Sequence, residues 1–202
     1  MVFPYRELKL SKRFICLSMI LCLSPGLVSC AINRTAENDP SRHFVFELNG
    51  RILASRANET SFSASFNWRQ YIDSFEMVFW GPLGQGKTSL VGGRERVTLT
   101  APSGVKRVFT NYQQWMENEL GFSLPISFVA AWIRGRPFEK HPHNAVLLNT
   151  RGEIIRFQQL GWQIELSRSP ENGLTTRVVM EKGGNLLTIL CGSWLELAES
   201  LH

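Results

Sequence analysis

Residues 81 to 88 read Gly-Pro-Leu-Gly-Gln-Gly-Lys-Thr, which satisfies the G-x-x-x-x-G-K-[ST] pattern of a phosphate-binding loop. Such a loop works because backbone N–H groups converge on the phosphates and the next helix offers its N-terminus, so the chemistry needs a strand before the motif and a helix after it. The strand is present: Phe75, Met77 and Phe79 alternate with Glu76 and Val78. The helix is not. Ser89, Leu90 and Val91 run into Gly92-Gly93 and then into a second strand-like run, Arg96 to Thr100. No apolar strand ending in a free Asp offers a Mg²⁺ partner. The segment therefore reads as the loop of a β-hairpin, in which Leu83 is a lone bulky apolar residue among Pro82, Gly84 and Gly86. Whether its side chain folds back on the sheet or projects outward is left open at this level. A projecting leucine placed in lipid contributes roughly 1.5–3 kcal/mol, enough to bias how a protein meets a bilayer but not to anchor it.

Other residues with chemical potential lack companions. His141-Pro142-His143 has the i, i+2 spacing of two metal ligands, but no third ligand motif lies near, so no metal is expected and a solvated loop is the simpler reading. There is no Gly-x-Ser-x-Gly elbow, and Cys191, between Leu190 and Gly192, has no histidine in a matching context. Catalytic residues and cofactors are accordingly not expected, and Cys191 reads as a small buried hydrophobe.

The elements that must position these residues are mostly strands. Phe62, Ala64, Phe66 and Trp68 alternate with Ser63, Ser65, Asn67 and Arg69, a half-buried strand, and Gly50 to Arg56, Phe75 to Trp80, Ser89 to Val91, Val97 to Thr100 and Lys106 to Phe109 continue an antiparallel meander. The period then changes. Thr110 and Gln113 suggest a capping box, with Tyr112, Trp115, Met116 and Leu120 on one helical face and Gly121 as a stop. A second helix opens near Pro125, carries Phe128, Val129, Trp132 and Ile133 as its stripe, and ends at Gly135 and Pro137. Strands resume from Ala145, with Asn172-Gly173 and Gly183-Gly184 as hairpin turns and Trp194 to His202 as a last strand or short helix. A sheet with one apolar face and two amphipathic helices builds either a solid core or a cavity for a greasy ligand, and six tryptophans suit both.

The first thirty residues stand apart. Arg6, Lys9, Lys12 and Arg13 precede the apolar run Phe14 to Leu23, too short to span a bilayer comfortably, which is the pattern of a secretory signal. Leu27-Val28-Ser29-Cys30 resembles the lipobox of bacterial lipoproteins, in which the cysteine is acylated and becomes the mature N-terminus. The expected organisation is a signal at 1–29, a polar tether at 30–41 and one domain at 42–202. Loss of the signal removes four cations and Glu7, so the formal +5 falls to about +2, and nothing in the charge pattern calls for nucleic acid.

Ser63 to Trp68, Gly81-Pro82-Leu83-Gly84, Leu120-Gly121 with Leu124-Pro125, Trp132-Ile133-Arg134-Gly135 with Pro137, Gly161-Trp162-x-Ile164 and a terminal strand reaching Trp194 together resemble the LolB family of outer-membrane lipoproteins. The resemblance covers nearly the whole mature chain. It implies an incomplete antiparallel β-barrel, capped by helices and enclosing an apolar cavity for the acyl chains of other lipoproteins. It also implies a monomeric receptor that takes cargo from the periplasmic carrier LolA and places it in the outer membrane, without a cofactor or a covalent step. On this basis Cys30 is the lipidation site, and Leu83, with Pro82 and Gly84, forms the loop that delivers cargo to membrane lipid. Phe66, Trp68, Met77, Trp132, Trp162, Ile164 and Trp194 are assigned to the cavity wall. Ala31, in place of Asp after the acylated cysteine, suits retention in the outer membrane on its periplasmic face. A structural envelope lipoprotein with a solid core is the first alternative, and a P-loop nucleotide-binding protein is the second and weaker one. The region from Arg42 to Leu48 departs from the family pattern and leaves the opening helix of the fold undefined.

Overall fold

The computed structural model describes residues 43–56, 62–93, 95–120 and 123–196. The expected signal, Cys30, the tether and the tail beyond Glu196 lie outside the described residues. The chain divides into Met1–Asn38 and Asp39–His202, and every described residue belongs to the second unit.

Eleven strands and two helices follow one another: β1 (Phe44–Arg56), β2 (Phe62–Tyr71), β3 (Ser74–Trp80), β4 (Thr88–Gly93), β5 (Val97–Thr100), β6 (Lys106–Phe109), α1 (Tyr112–Leu120), α2 (Ile126–Ile133), β7 (His143–Leu148), β8 (Ile154–Gln159), β9 (Trp162–Arg168), β10 (Thr175–Lys182) and β11 (Asn185–Glu196). They form a single antiparallel sheet in the order β6-β5-β4-β3-β2-β1-β11-β10-β9-β8-β7. The expected barrel is thus open, with β6 and β7 as its two free edges, and the chain passes between those edges through α1 and α2.

The first and last strands pair at the middle of the sheet. β1 lies between β2 and β11, so the two ends of the fold are held by ladders on both sides. The segment around Arg42 to Leu48, undefined from sequence, is strand from Phe44 onward, because Phe46 and Leu48 alternate inward and are fully buried. The β1–β11 register shifts between Leu48 and Gly50, where β11 steps from Trp194 to Cys191, while β1 runs in unbroken register past Phe66 on β2. A Cβ at position 50 would come within 2.9 Å of the Phe66 ring, so glycine is required there for space.

Period-two alternation produces the inner face. Phe66 and Trp68 on β2, Trp162, Ile164 and Leu166 on β9, Val178 and Met180 on β10, and Leu187 and Ile189 on β11 are all buried. Register stacks them: Met180 sits between Ile164 and Leu187, and Val178 between Leu166 and Ile189. Burying each such side chain contributes about 1.5–3 kcal/mol.

α2 belongs to the same core. Ile126, Phe128, Val129, Ala130, Trp132 and Ile133 are buried, so the helix is apolar nearly all round and not merely amphipathic. Pro125 stands at its N-cap, one position before the expected first turn. α1 is capped by Asn111, whose side-chain oxygen accepts from the Gln114 N–H at 3.1 Å, and not by the expected Thr110 box. The Tyr112 hydroxyl accepts from the Ile126 N–H at 3.4 Å, joining the starts of the two helices.

Candidate functional site

The Gly81–Thr88 motif lies in the connection between β3 and β4. Gly84 N–H donates to the Gly81 carbonyl at 3.2 Å, and Gly81 N–H donates to the Gln85 carbonyl at 2.8 Å, closing a tight loop. Thr88 opens a strand, with its hydroxyl turned back onto the Gly86 carbonyl at 3.3 Å. No helix N-terminus follows the motif, so the nucleotide reading has no support here.

Leu83 is the most exposed large apolar side chain of the described residues, at 96%. Its backbone is left-handed, at φ 60 and ψ 20, the third position of a turn that ordinarily takes Gly or Asn. Holding leucine there costs roughly 1–2 kcal/mol. The question left open by sequence is therefore answered: the side chain projects. Gly84 and Gly86, at φ 77 and 68, supply the remaining left-handed positions.

The residues assigned to a cavity wall all belong to the inner face of the sheet or to α2. Phe66, Trp68, Met77, Trp132, Trp162 and Ile164 join one apolar cluster and none exceeds 7% exposure. The Phe46 ring, not foreseen, meets Trp68 edge-on at 5.5 Å and Trp194 at 5.6 Å. Trp194 is set apart. It is half-buried, donates its indole N–H to the Thr175 carbonyl at 3.0 Å, and lines a small open cavity of about 180 Å³ whose other walls include Arg134, Arg136, Arg168 and Glu196. That cavity is polar and unsuited to an acyl chain.

Gln159 is the residue that sequence reasoning missed. It is 2% exposed; its Oε1 accepts from the Trp132 indole at 2.8 Å and the Phe138 N–H at 2.9 Å, and its Nε2 donates to the Phe138 and His141 carbonyls at 2.8 and 3.0 Å. One amide thereby fixes α2 and the segment after it to β8. The signal was available: Phe157 and Gln159 share the inward face of β8, so a glutamine there had to find buried partners.

His141 does not act with His143. Its ring packs on Phe128 at 4.9 Å and Phe138 at 6.0 Å, and among the described residues no group of three His, Cys, Asp or Glu could hold a metal. Cys191 is free and packs partly buried against the core, and burial pushes its thiol up to about 12. A thiol so placed is a poor nucleophile.

The family model described as "Outer membrane lipoprotein LolB" matches residues 45–194. The outer-membrane lipoprotein LolB of Nitrosococcus oceani is 35% identical over 119 residues, 59% of each chain, so the match spans less than two thirds of that relative. That of Chromohalobacter salexigens is 33% identical over 148 residues, 72% of this chain and 68% of the relative. Among solved structures, a DUF1329-family protein of Desulfovibrio piger has a similar fold, with a TM-score of 0.50 at 10% identity over 80% of this chain and 88% of that one. With the family model covering nearly every described element from β1 to β11, the chain belongs to the outer-membrane lipoprotein LolB family.

Proposed function

We propose that the protein is a lipid-transfer receptor that accepts lipoproteins from a LolA-like periplasmic carrier and inserts them into the outer membrane. It is held on the periplasmic face by an acylated Cys30 and the tether at 30–41, and its chemistry is physical transfer with no catalytic step. The observation that carries the reading is Leu83, a leucine kept 96% exposed at the tip of a closed turn in a backbone conformation that disfavours it. Folding alone would select glycine or asparagine at that position, so the leucine is explained by what it touches outside the protein.

The acyl chains of cargo take the space between α2 and the inner face. That space is lined by Phe66, Trp68, Met77, Trp132, Trp162 and Ile164, so an incoming chain must part side chains that otherwise pack on one another. Each CH₂ that leaves water contributes about 0.8 kcal/mol, and nearly the same in protein as in lipid. Transfer from carrier to receptor to bilayer then runs on small affinity differences, which suits a device without a fuel.

The test is binding of a fluorescent fatty acid to the chain beginning at Ala31, followed by displacement with a triacylated lipoprotein. Binding and displacement are expected. The tight burial of the cluster favours a second reading, a structural envelope lipoprotein with a solid core, and failure of every apolar ligand to bind would select it.

A further inference from the structure

Of the three non-glycine residues with positive φ among the described residues, two are exposed leucines: Leu83, and Leu160 at φ 54 and 42% exposure. Leu160 opens the two-residue turn between β8 and β9, where Gly161 follows at φ 75, a site that ordinarily takes Asn-Gly. Its carbonyl accepts from Lys182 Nζ at 2.9 Å, so the turn is braced while its side chain faces out.

The antiparallel order puts both turns at the same end of the sheet. The ends of β3, β5, β8 and β10 all point that way, which adds the β5–β6 turn with Val105, 55% exposed, and the β10–β11 turn followed by Leu186, 40% exposed. From β3 to β8 is six strand spacings, about 29 Å along the sheet. Among the described residues, the turns and strand ends of this end carry the exposed cations Lys87, Lys106, Arg107, Lys140 and Lys182, against the acids Glu139 and Glu181. Among the described residues, the turns of the opposite end carry Asp73, Glu95, Glu153 and Glu171 against Arg96 and Arg151.

We propose that this whole end, and not the Leu83 loop alone, is a membrane-docking rim in which Leu83, Val105 and Leu160 enter the bilayer interface and the lysines and arginine bind anionic phospholipid headgroups. The occupant is a lipid surface because apolar tips ringed by like-signed cations match an interface with an apolar interior and an anionic face. The proposal rests on the reading that the Leu83 end meets the membrane, and it adds the lipid class and a second insertion point.

The experiment uses the chain beginning at Ala31, which retains the whole compact unit Asp39–His202, in flotation with vesicles of phosphatidylcholine alone or mixed with phosphatidylglycerol. Tighter binding to the anionic vesicles, weakened by salt, is expected. Lys106→Gln with Arg107→Gln should lower that affinity about tenfold or more, at about fivefold per cation, while Arg96→Gln with Arg151→Gln at the far end changes nothing. Leu160→Asn should weaken binding to both vesicle types about three- to tenfold while leaving the melting temperature unchanged or higher, an outcome that a purely structural role does not produce. Equal affinity for both vesicle types, a control pair that loses as much as the rim pair, or unaltered binding by Leu160→Asn would overturn the proposal. Leu83→Glu separates the two readings. If it binds like the parent while the rim variants lose binding, the delivery role of Leu83 fails; if it alone loses binding, the rim fails.

Discussion

The Trp132 indole N–H donates to Gln159 Oε1 at 2.8 Å, joining the most buried face of α2 to the inner face of β8. The same carbonyl oxygen also accepts from the Phe138 N–H, so the bond is one arm of a fully satisfied buried amide.

Gln159→Leu should leave the Trp132 and Phe138 N–H groups and the His141 carbonyl without partners, while the Phe138 carbonyl keeps only the His141 N–H at 3.2 Å. We expect a loss of about 2–4 kcal/mol, as buried polar groups become unsatisfied. Urea unfolding checks this: the midpoint falls while the slope stays the same. An unchanged midpoint would mean that water enters and replaces the amide.

At Leu83 stability and function should move in opposite directions. Leu83→Gly relieves the left-handed strain and should raise stability by about 1 kcal/mol, while reducing insertion of lipoproteins into vesicles. Leu83→Glu should fold and accept cargo normally but fail to release it to lipid. Full insertion by Leu83→Glu would remove the delivery role.

Gly135 stands at φ 79 just after α2, and a Cβ there would run into the Arg168 guanidinium. That guanidinium donates to the Gly135 carbonyl at 2.7 Å and the Gly173 carbonyl at 3.1 Å. Gly135→Ala should therefore cost about 2–4 kcal/mol, from backbone strain and a displaced arginine, read as a lower melting temperature. Gly104→Ala, where a Cβ meets nothing within 4 Å although φ is 82, should cost only the conformational part.

The Cys191 thiol, raised by burial to about 12, makes stability depend on pH at the alkaline end. The unfolded thiol ionises near 8.5, so above that value the unfolded state loses its proton while the folded state keeps it. Stability from this group is complete below about 8.5 and is lost as pH rises toward 12. Cys191→Val should flatten that decline in denaturation midpoints measured across the range. Ellman's reagent at pH 8 should label native Cys191 far more slowly than the unfolded chain.

β1 begins at the end of the sheet opposite the Leu83 loop. Residues 30–42, fully extended, reach at most about 45 Å, close to the roughly 43 Å of a 13-residue strand such as β1. On the proposed anchoring through Cys30, deleting six of residues 31–41 should therefore impair insertion into the membrane that holds the anchor and spare insertion into separate vesicles. Equal effects on both would show that the tether does not set the reach of Leu83.

The period-two runs, the two helices and the hairpin turns were legible because alternation, Gly pairs and proline positions act over a few residues. Phe66, Trp68, Trp162 and Ile164 could be assigned to one face for the same reason, and the hairpin reading of Gly81–Thr88 followed from Gly92-Gly93 and the strand-like run after it. Less local features were not legible. Asn111 in place of Thr110 as the cap, and the strand at Phe44–Leu48, depend on which of several allowed local states the rest of the chain stabilises.

By itself, then, the sequence determined the kind of most elements, the apolar face of the alternating strands and the family. Tertiary structure decided what depends on distance in space: that β1 and β11 close at the centre while β6 and β7 stay open, that Gln159 reaches Trp132, and that Trp194 borders a polar cavity. It also decided that Leu83 projects. A turn residue's direction follows from its φ and from hydrogen bonds that only the closed loop can form, and both are properties of the assembled hairpin, not of the residue order.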